Sequence, residues 1–193
     1  MSGPTDTSAD AATKLGAAAL RSLHEARVQA ELADADALLP GSDSSPSTGA
    51  HFADIAVVKG LPGPAEASGK PAMSGADGDA ACKALGALGW DSESIFFLLS
   101  RPGVDTDPVG RAARLRLQVE SVDPEFVLAV DAEAAADIAA AFGIDGMGFG
   151  EVLRVGGRRF AACDGLEASL GDPARKRRVW TQLKLATPYG SVY

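Results

Sequence analysis

The stretch that decides the fold is IAVVKGLPG, residues 55–63, in which a short apolar run leads directly into a Gly-Pro loop. Three further short runs have a similar character, namely residues 94–99 (SIFFLL), 126–130 (FVLAV) and 158–163 (RRFAAC). Continuous apolar runs of this length are typical of parallel strands buried on both faces. Helical stretches fall between and after them, near residues 78–88, 108–122, 132–142 and 173–186. The alternation predicts a three-layer α/β/α fold around a central, mostly parallel, four-stranded sheet.

Local signals at both ends of this pattern predict the rest of the organisation. Gly156-Gly157 is a two-residue hairpin signal, so residues 151–155 are expected to pair antiparallel with residues 158–163. We divide the chain into a disordered tail (1–9), an Ala-rich helical segment (10–40), a Ser/Pro/Gly linker (41–50), an α/β domain (51–187) and a C-terminal tail (188–193).

Composition limits the classes of function. The chain of 193 residues is 46% hydrophobic and has no apolar run long enough to span a membrane, so we expect a cytoplasmic protein without membrane contact. Cys82 and Cys163 are far apart in sequence and predict buried free thiols, with no metal site and no cofactor. A net charge of -8 opposes broad contact with a phosphate backbone, although local basic clusters such as residues 175–178 soften that objection.

Candidate functional residues follow the predicted strands, because ligands of open α/β sheets bind at the carboxyl ends of the strands. The Gly60–Gly63 turn would let the backbone approach a ligand, while neither a Walker A loop nor a G-x-G-x-x-G fingerprint is present. The candidate acid-base carboxylates are Glu66, Asp131, Glu133, Asp164 and Glu167. Of these, Asp131 is better interpreted as the cap of the following helix, and Asp164 is the better functional candidate. His24 and His51 follow no core strand and are interpreted as surface residues.

The last predicted helix carries a basic run followed by an aromatic residue. Residues 175–178 read RKRR, which indicates either a solvated helix face or a contact with phosphate groups. Trp180, two residues later, has two interpretations as well, packing against the core or stacking on a base.

Taken in order, these motifs resemble the uracil-DNA glycosylase superfamily, most closely its iron-sulfur branch, often called family 4. In that family a first strand ends in Gly-Glu-x-Pro-Gly, followed by an acidic residue, a Gly-x-Pro-Phe segment, a helix-opening Gly and a strand ending in Cys-Arg-Pro-Pro. With a one-residue slip, this chain has in the same order KGLPG (59–63), Glu66, GKPA (69–72), Gly78 and LLSRP (98–102).

The resemblance continues to about residue 186. The family has a P-x-x-I-V-x-L-G-x-x-A strand and turn, a Gly-rich hairpin, a His-Pro-x-x-Leu-Leu loop and a final helix with Trp. The corresponding segments here are PEFVLAVD (124–131), residues 148–157, DGLEASL (164–170) and the helix with Trp180. Their joint order implies a glycosylase-like fold and a connection with DNA repair by base excision.

The chain departs from the family at its reactive positions. The catalytic Glu corresponds to Gly60, the Phe that stacks on uracil to Ala72, and the His of the last loop falls near Gly165. The cluster cysteine before Arg-Pro corresponds to Ser100, and the upstream cysteine pair is missing, so no iron-sulfur cluster is expected.

Three functional hypotheses follow. The leading one is a pseudoenzyme, weakly active or inactive in base excision, that binds DNA or a nucleobase or acts as a scaffold, through Gly60, Leu61, Pro62, Gly63, Ala72 and Asp131. The second is an active glycosylase in which Glu66 or Asp164 positions the water, with phosphate contacts from Arg101, Arg154 and Arg175. The third is a module that binds a protein partner through the N-terminal helix.

Overall fold

The computed structural model describes residues 7–39, 46–103 and 107–188. In these ranges the helices are α1 (Thr7–Ala37), α2 (Pro64–Ala67), α3 (Ala76–Ala87), α4 (Pro108–Val122), α5 (Ala132–Phe142), α6 (Leu166–Ser169) and α7 (Pro173–Leu183), with a 3-10 turn at Ser92–Ser94. The strands are β1 (Thr48–Gly49), β2 (Ile55–Lys59), β3 (Ile95–Leu99), β4 (Phe126–Ala129), β5 (Val152–Val155) and β6 (Arg158–Ala162). The predicted tails and linker lie partly outside the described residues, and α1 begins earlier than predicted.

The sheet has six strands, in the order β1-β3-β2-β4-β6-β5, so the prediction of four strands was wrong. The four predicted strands form its parallel centre, β3-β2-β4-β6. The hairpin prediction is confirmed, because β5 pairs antiparallel with β6. The sequence gives no signal for β1, whose two residues pair with Phe96 and Phe97 of β3. A strand this short depends on its neighbour rather than on its own propensity.

Helices cover both faces of the sheet, because successive strand residues point to opposite sides. On one face, Ile55 and Val57 of β2 belong to an apolar cluster that includes residues of α3, α6 and α7. On the other face, Ala56 and Val58 belong to a cluster with residues of α1, α4 and α5. The domain is therefore mixed α/β with three layers, and both faces of the central strands are buried.

The C-terminal half of α1 is part of this core. Val28 and Leu32 belong to the second cluster, and Ala35 is also buried. Asp36 forms a 2.8 Å salt bridge with Arg114, whose side chain is buried. The helical segment is thus joined to the domain by packing as well as by the linker. Among the described helices, none combines the length and the apolar character needed to cross a membrane.

Candidate functional site

A cleft of about 470 Å³ opens at the carboxyl edge of the parallel strands. It lies between the loop after β2, the start of α5 and the segment that joins β6 to α7. Its lining consists of Lys59, Leu61, Pro62, Asp77, residues 130–133, Asp164, Gly165, Glu167, Ala168 and Arg175. The cleft is where strand-end reasoning places a ligand site, and its volume is within the usual range for small-molecule pockets.

The floor of the cleft holds a lysine surrounded by carboxylates. The Lys59 ammonium lies 2.6 Å from Asp77 Oδ2, 2.9 Å from Glu167 Oε2 and 3.5 Å from Glu66 Oε2. Lys59, Asp77 and Glu66 are each only 3% exposed. Burial by itself lowers the pKa of Lys59, but the hydrogen bonds to Asp77 and Glu167 and the negative charges outweigh it, so the pKa is raised. Lys59 therefore stays protonated and is unsuited to act as a nucleophile.

Glu66 is held in place by the backbone as well as by Lys59. Its Oε2 accepts a 2.9 Å hydrogen bond from the Gly63 amide, and its Oε1 accepts one of 2.9 Å from the Met73 amide. These contacts join α2 to the segment before α3. The carboxylate is enclosed by protein donors and does not line the cleft.

Asp131 connects the first loop to α5. Its Oδ1 accepts a 2.7 Å hydrogen bond from the Ala134 amide, which confirms the predicted N-cap, and its Oδ2 accepts one of 2.9 Å from the Gly60 amide. Burial raises the pKa of Asp131, although both amide hydrogen bonds act in the opposite direction. The same contact brings Gly60 so close to α5 that an added Cβ would lie 2.4 Å from Glu133 Cβ.

Asp164 directly follows the strand β6 and pairs with the basic run of α7. Its Oδ1 lies 3.2 Å from Arg175, and its Oδ2 lies 3.0 Å from Arg178. Arg175 and Arg178 are three residues apart on α7 and so lie on one face of the helix, on the side of the cleft. Lys176 and Arg177, which lie between them, line a different cavity. The run is therefore divided between two surfaces of the domain.

The three arginines predicted to contact phosphate lie in different environments. Only Arg175 lines the cleft. Arg101 donates bidentate hydrogen bonds to Asp137, from Nε to Oδ2 at 2.8 Å and from Nη2 to Oδ1 at 3.1 Å. Arg154 is paired opposite Arg159 near the amino end of β6, which is the edge of the sheet away from the cleft. The structure does not bring the three side chains together.

The other predicted residues divide into lining and supporting groups. Leu61, Pro62, Asp131 and Gly165 line the cleft. Ala72 is completely buried in the apolar core, and Gly63 is buried as well, so neither residue lines the cleft. Trp180 packs partly against the same core, and the imidazole of His24 stacks on Phe52 and does not line the cleft.

The sequence singles out Asp131, Glu133, Asp164 and Glu167 among the acidic residues that line the cleft, but neither Lys59 nor Asp77. Lys59 carried a usable signal, because a charged residue ends an otherwise apolar strand directly before the Gly-Pro loop. Asp77 lies in the first turn of α3, where acidic residues are common for local reasons, so its position gave no separate indication of the cleft.

The cleft is acidic overall. Its lining carries the carboxylates of Asp77, Asp131, Glu133, Asp164 and Glu167, against the two cations Lys59 and Arg175. Over the described ranges, no group of three His, Cys, Asp or Glu side chains is arranged to hold a metal ion. Comparison with known proteins gives no match, neither to a protein-family model nor to a curated protein sequence.

Proposed function

We propose that the chain is a non-catalytic relative of the uracil-DNA glycosylases, whose cleft binds a nucleobase without cleaving its glycosidic bond. The observation that carries the proposal concerns Gly60, the position that the resemblance assigns to the catalytic Glu. A Cβ there would lie 2.4 Å from Glu133 Cβ and 2.6 Å from Asp131 Oδ1. No side chain fits at that position without a shift of the loop or of α5.

The alternative of an active glycosylase with substitute carboxylates has less support. A general base must reach the water that it activates. Glu66 is 3% exposed and accepts hydrogen bonds from two backbone amides, while Asp164 is paired with Arg175 and Arg178. Both carboxylates are engaged in contacts that stabilise the fold.

The composition of the cleft favours a base over a phosphate group. Leu61 and Pro62 offer an apolar wall, and Glu133 and Glu167 offer carboxylate acceptors near it. Carboxylates accept hydrogen bonds from the exocyclic amino group of cytosine or adenine. The excess of carboxylates over cations repels phosphate, which favours a free base or a nucleoside over a backbone-bound nucleotide.

The test is a binding measurement paired with an excision assay. Calorimetry with cytidine, adenosine, uridine and cytidine monophosphate should give heat of binding for the two amino-bearing nucleosides and weaker binding for the monophosphate. Glu133→Gln should weaken this binding by about tenfold. Glu93→Gln is the matched control, since Glu93 is an exposed carboxylate before β3, at the opposite edge of the sheet.

The excision assay uses oligonucleotides that contain uracil, hypoxanthine or another damaged base. We expect no release of base above the uncatalysed rate. Release at a rate typical of enzymes, or absence of nucleoside binding in the wild-type chain, would overturn the proposal.

A protein-interaction role for the N-terminal helix is the second candidate, because residues 13–23 of α1 are exposed. Leu15, Leu20 and Leu23 are 74%, 69% and 68% exposed, respectively. A deletion of residues 1–17 removes part of this surface and retains the buried Val28, Leu32 and Ala35. Loss of a partner from pull-downs of the shortened chain would support this role, and unchanged recovery of every partner would count against it. Cytoplasmic location stays a prediction from the sequence.

A further inference from the structure

An apolar groove lies between α3 and α7, on a different face of α6 from the cleft. A cavity of about 330 Å³ is lined mainly by Ala80, Ala84, Leu166, Leu170, Trp180 and Leu183. A neighbouring cavity of about 470 Å³ shares Ala80, Ala84, Leu170 and Trp180 with it. Because they share these residues, the two cavities adjoin and are described together as one groove, in which Leu170 is 38% exposed.

Three cations border this groove, namely Lys83, Lys176 and Arg177. All three are exposed, and within the described residues none of their side chains forms a salt bridge. Most other arginines of the domain are held by salt bridges, namely Arg101, Arg111, Arg114, Arg116, Arg158, Arg159, Arg175 and Arg178. Asp79 is the acidic residue in the groove lining.

We propose that this groove binds an amphipathic helix of a partner protein that carries acidic side chains beside its apolar stripe. The apolar lining matches the apolar stripe of such a helix, and the small Ala80 and Ala84 side chains allow close approach. Acidic residues flanking the stripe would pair with Lys83, Lys176 and Arg177. Because the whole chain has a net charge of -8, an acidic partner is repelled elsewhere and directed to this surface.

A single-stranded nucleic acid is a poorer fit to the same surface. Binding of successive bases requires several exposed aromatic rings that serve as stacking platforms. The groove lining has one aromatic residue, Trp180, and that ring is partly buried against the core.

The experiment measures fluorescence anisotropy of two labelled helical peptides with the full chain. Both peptides have about 16 residues, or roughly four turns, with the same stripe of leucines at i, i+3 and i+7 spacing. One carries Glu beside the stripe and the other carries Lys at the same positions. We expect the Glu peptide to bind more tightly than the Lys peptide by about tenfold or more.

The variant Lys83→Glu/Arg177→Glu should reverse that preference. Its matched control is Arg21→Glu/Lys70→Glu, which changes the net charge equally at exposed residues that do not line the groove. The control should bind the Glu peptide like the wild type. Circular dichroism confirms that both variants are folded.

Several results would overturn the proposal. They are absence of binding by the Glu peptide, equal binding of both peptides, or equal weakening in the control variant. Displacement of the peptide by oligothymidylate would assign the groove to nucleic acid instead. Sedimentation showing a dimer that Lys83→Glu/Arg177→Glu dissociates would assign it to a second copy of this chain.

Discussion

Replacing Lys59 by Met should strongly destabilise the domain, because the substitution leaves buried carboxylates without their cation. Asp77 carries most of the effect: it is 3% exposed, and its Oδ2 lies 2.6 Å from the ammonium. Glu66 keeps two backbone amides, and the half-exposed Glu167 can be solvated. Removing one partner of a buried ion pair costs about 3–5 kcal/mol.

This loss is a large part of the stability of a typical domain, about 5–15 kcal/mol. For a chain of this size, each kcal/mol shifts the melting temperature by roughly 2–4 °C, so we expect a decrease of about 6–20 °C. Thermal and urea unfolding followed by circular dichroism at pH 7 measure it. Lys70→Met is the control, because Lys70 is exposed, and it should change stability by less than about 0.5 kcal/mol.

A double substitution separates the ion pair from other effects at this position. Lys59→Met/Asp77→Leu replaces both charges with apolar groups and should recover much of the lost stability. The reasoning would be refuted if Lys59→Met cost less than about 1 kcal/mol, or if the double variant were no more stable than the single one.

The pH dependence gives an independent check. The pKa of Lys59 is raised above its ordinary value of 10.5 in the folded state. The stabilisation is therefore complete below about pH 10.5 and is lost as the pH rises through the folded pKa. Wild-type stability should decrease above this pH, and the Lys59→Met variant should lack this part of the decrease.

Three further predictions test other parts of the structure. Gly60→Ala should destabilise the domain by about 1–3 kcal/mol through overpacking. Gly86→Ala is the control: an added Cβ at this position in α3 has no other atom within 4 Å, so the substitution should stabilise the domain by roughly 0.5–1 kcal/mol. Urea titration measures both changes. Cys163 is buried and its pKa is raised to about 12, so it should react with maleimide only after unfolding, whereas the half-buried Cys82 should react sooner. Mass spectrometry of the labelled sites measures the order of reaction, and the opposite order would contradict the prediction. Deleting residues 1–17 should change the free energy of unfolding by less than about 0.5 kcal/mol, and a larger loss would mean that this part of α1 packs on the domain.

The sequence determined the features that depend on neighbouring residues. The four central strands were predictable because strands buried on both faces are continuous apolar runs, as in residues 55–58 and 126–130. The helix cap at Asp131 depends on one side chain, and the hairpin at Gly156-Gly157 depends on two adjacent residues that tolerate positive φ. These local requirements leave a direct trace in the sequence.

Only the tertiary structure decided what surrounds each functional side chain. Lys59 was visible at the end of its strand, but its partners Asp77 and Glu167 come from two separate helices. Gly60 is a second example. The sequence shows that this position has no carboxylate, but the lack of room for a side chain results from the close approach of Glu133 on α5. Burial and pairing depend on contacts between segments far apart in the chain, and no local pattern records them. The sequence thus determined where the cleft lies, and packing decided that Asp77, Asp131 and Asp164 are engaged in contacts within the protein.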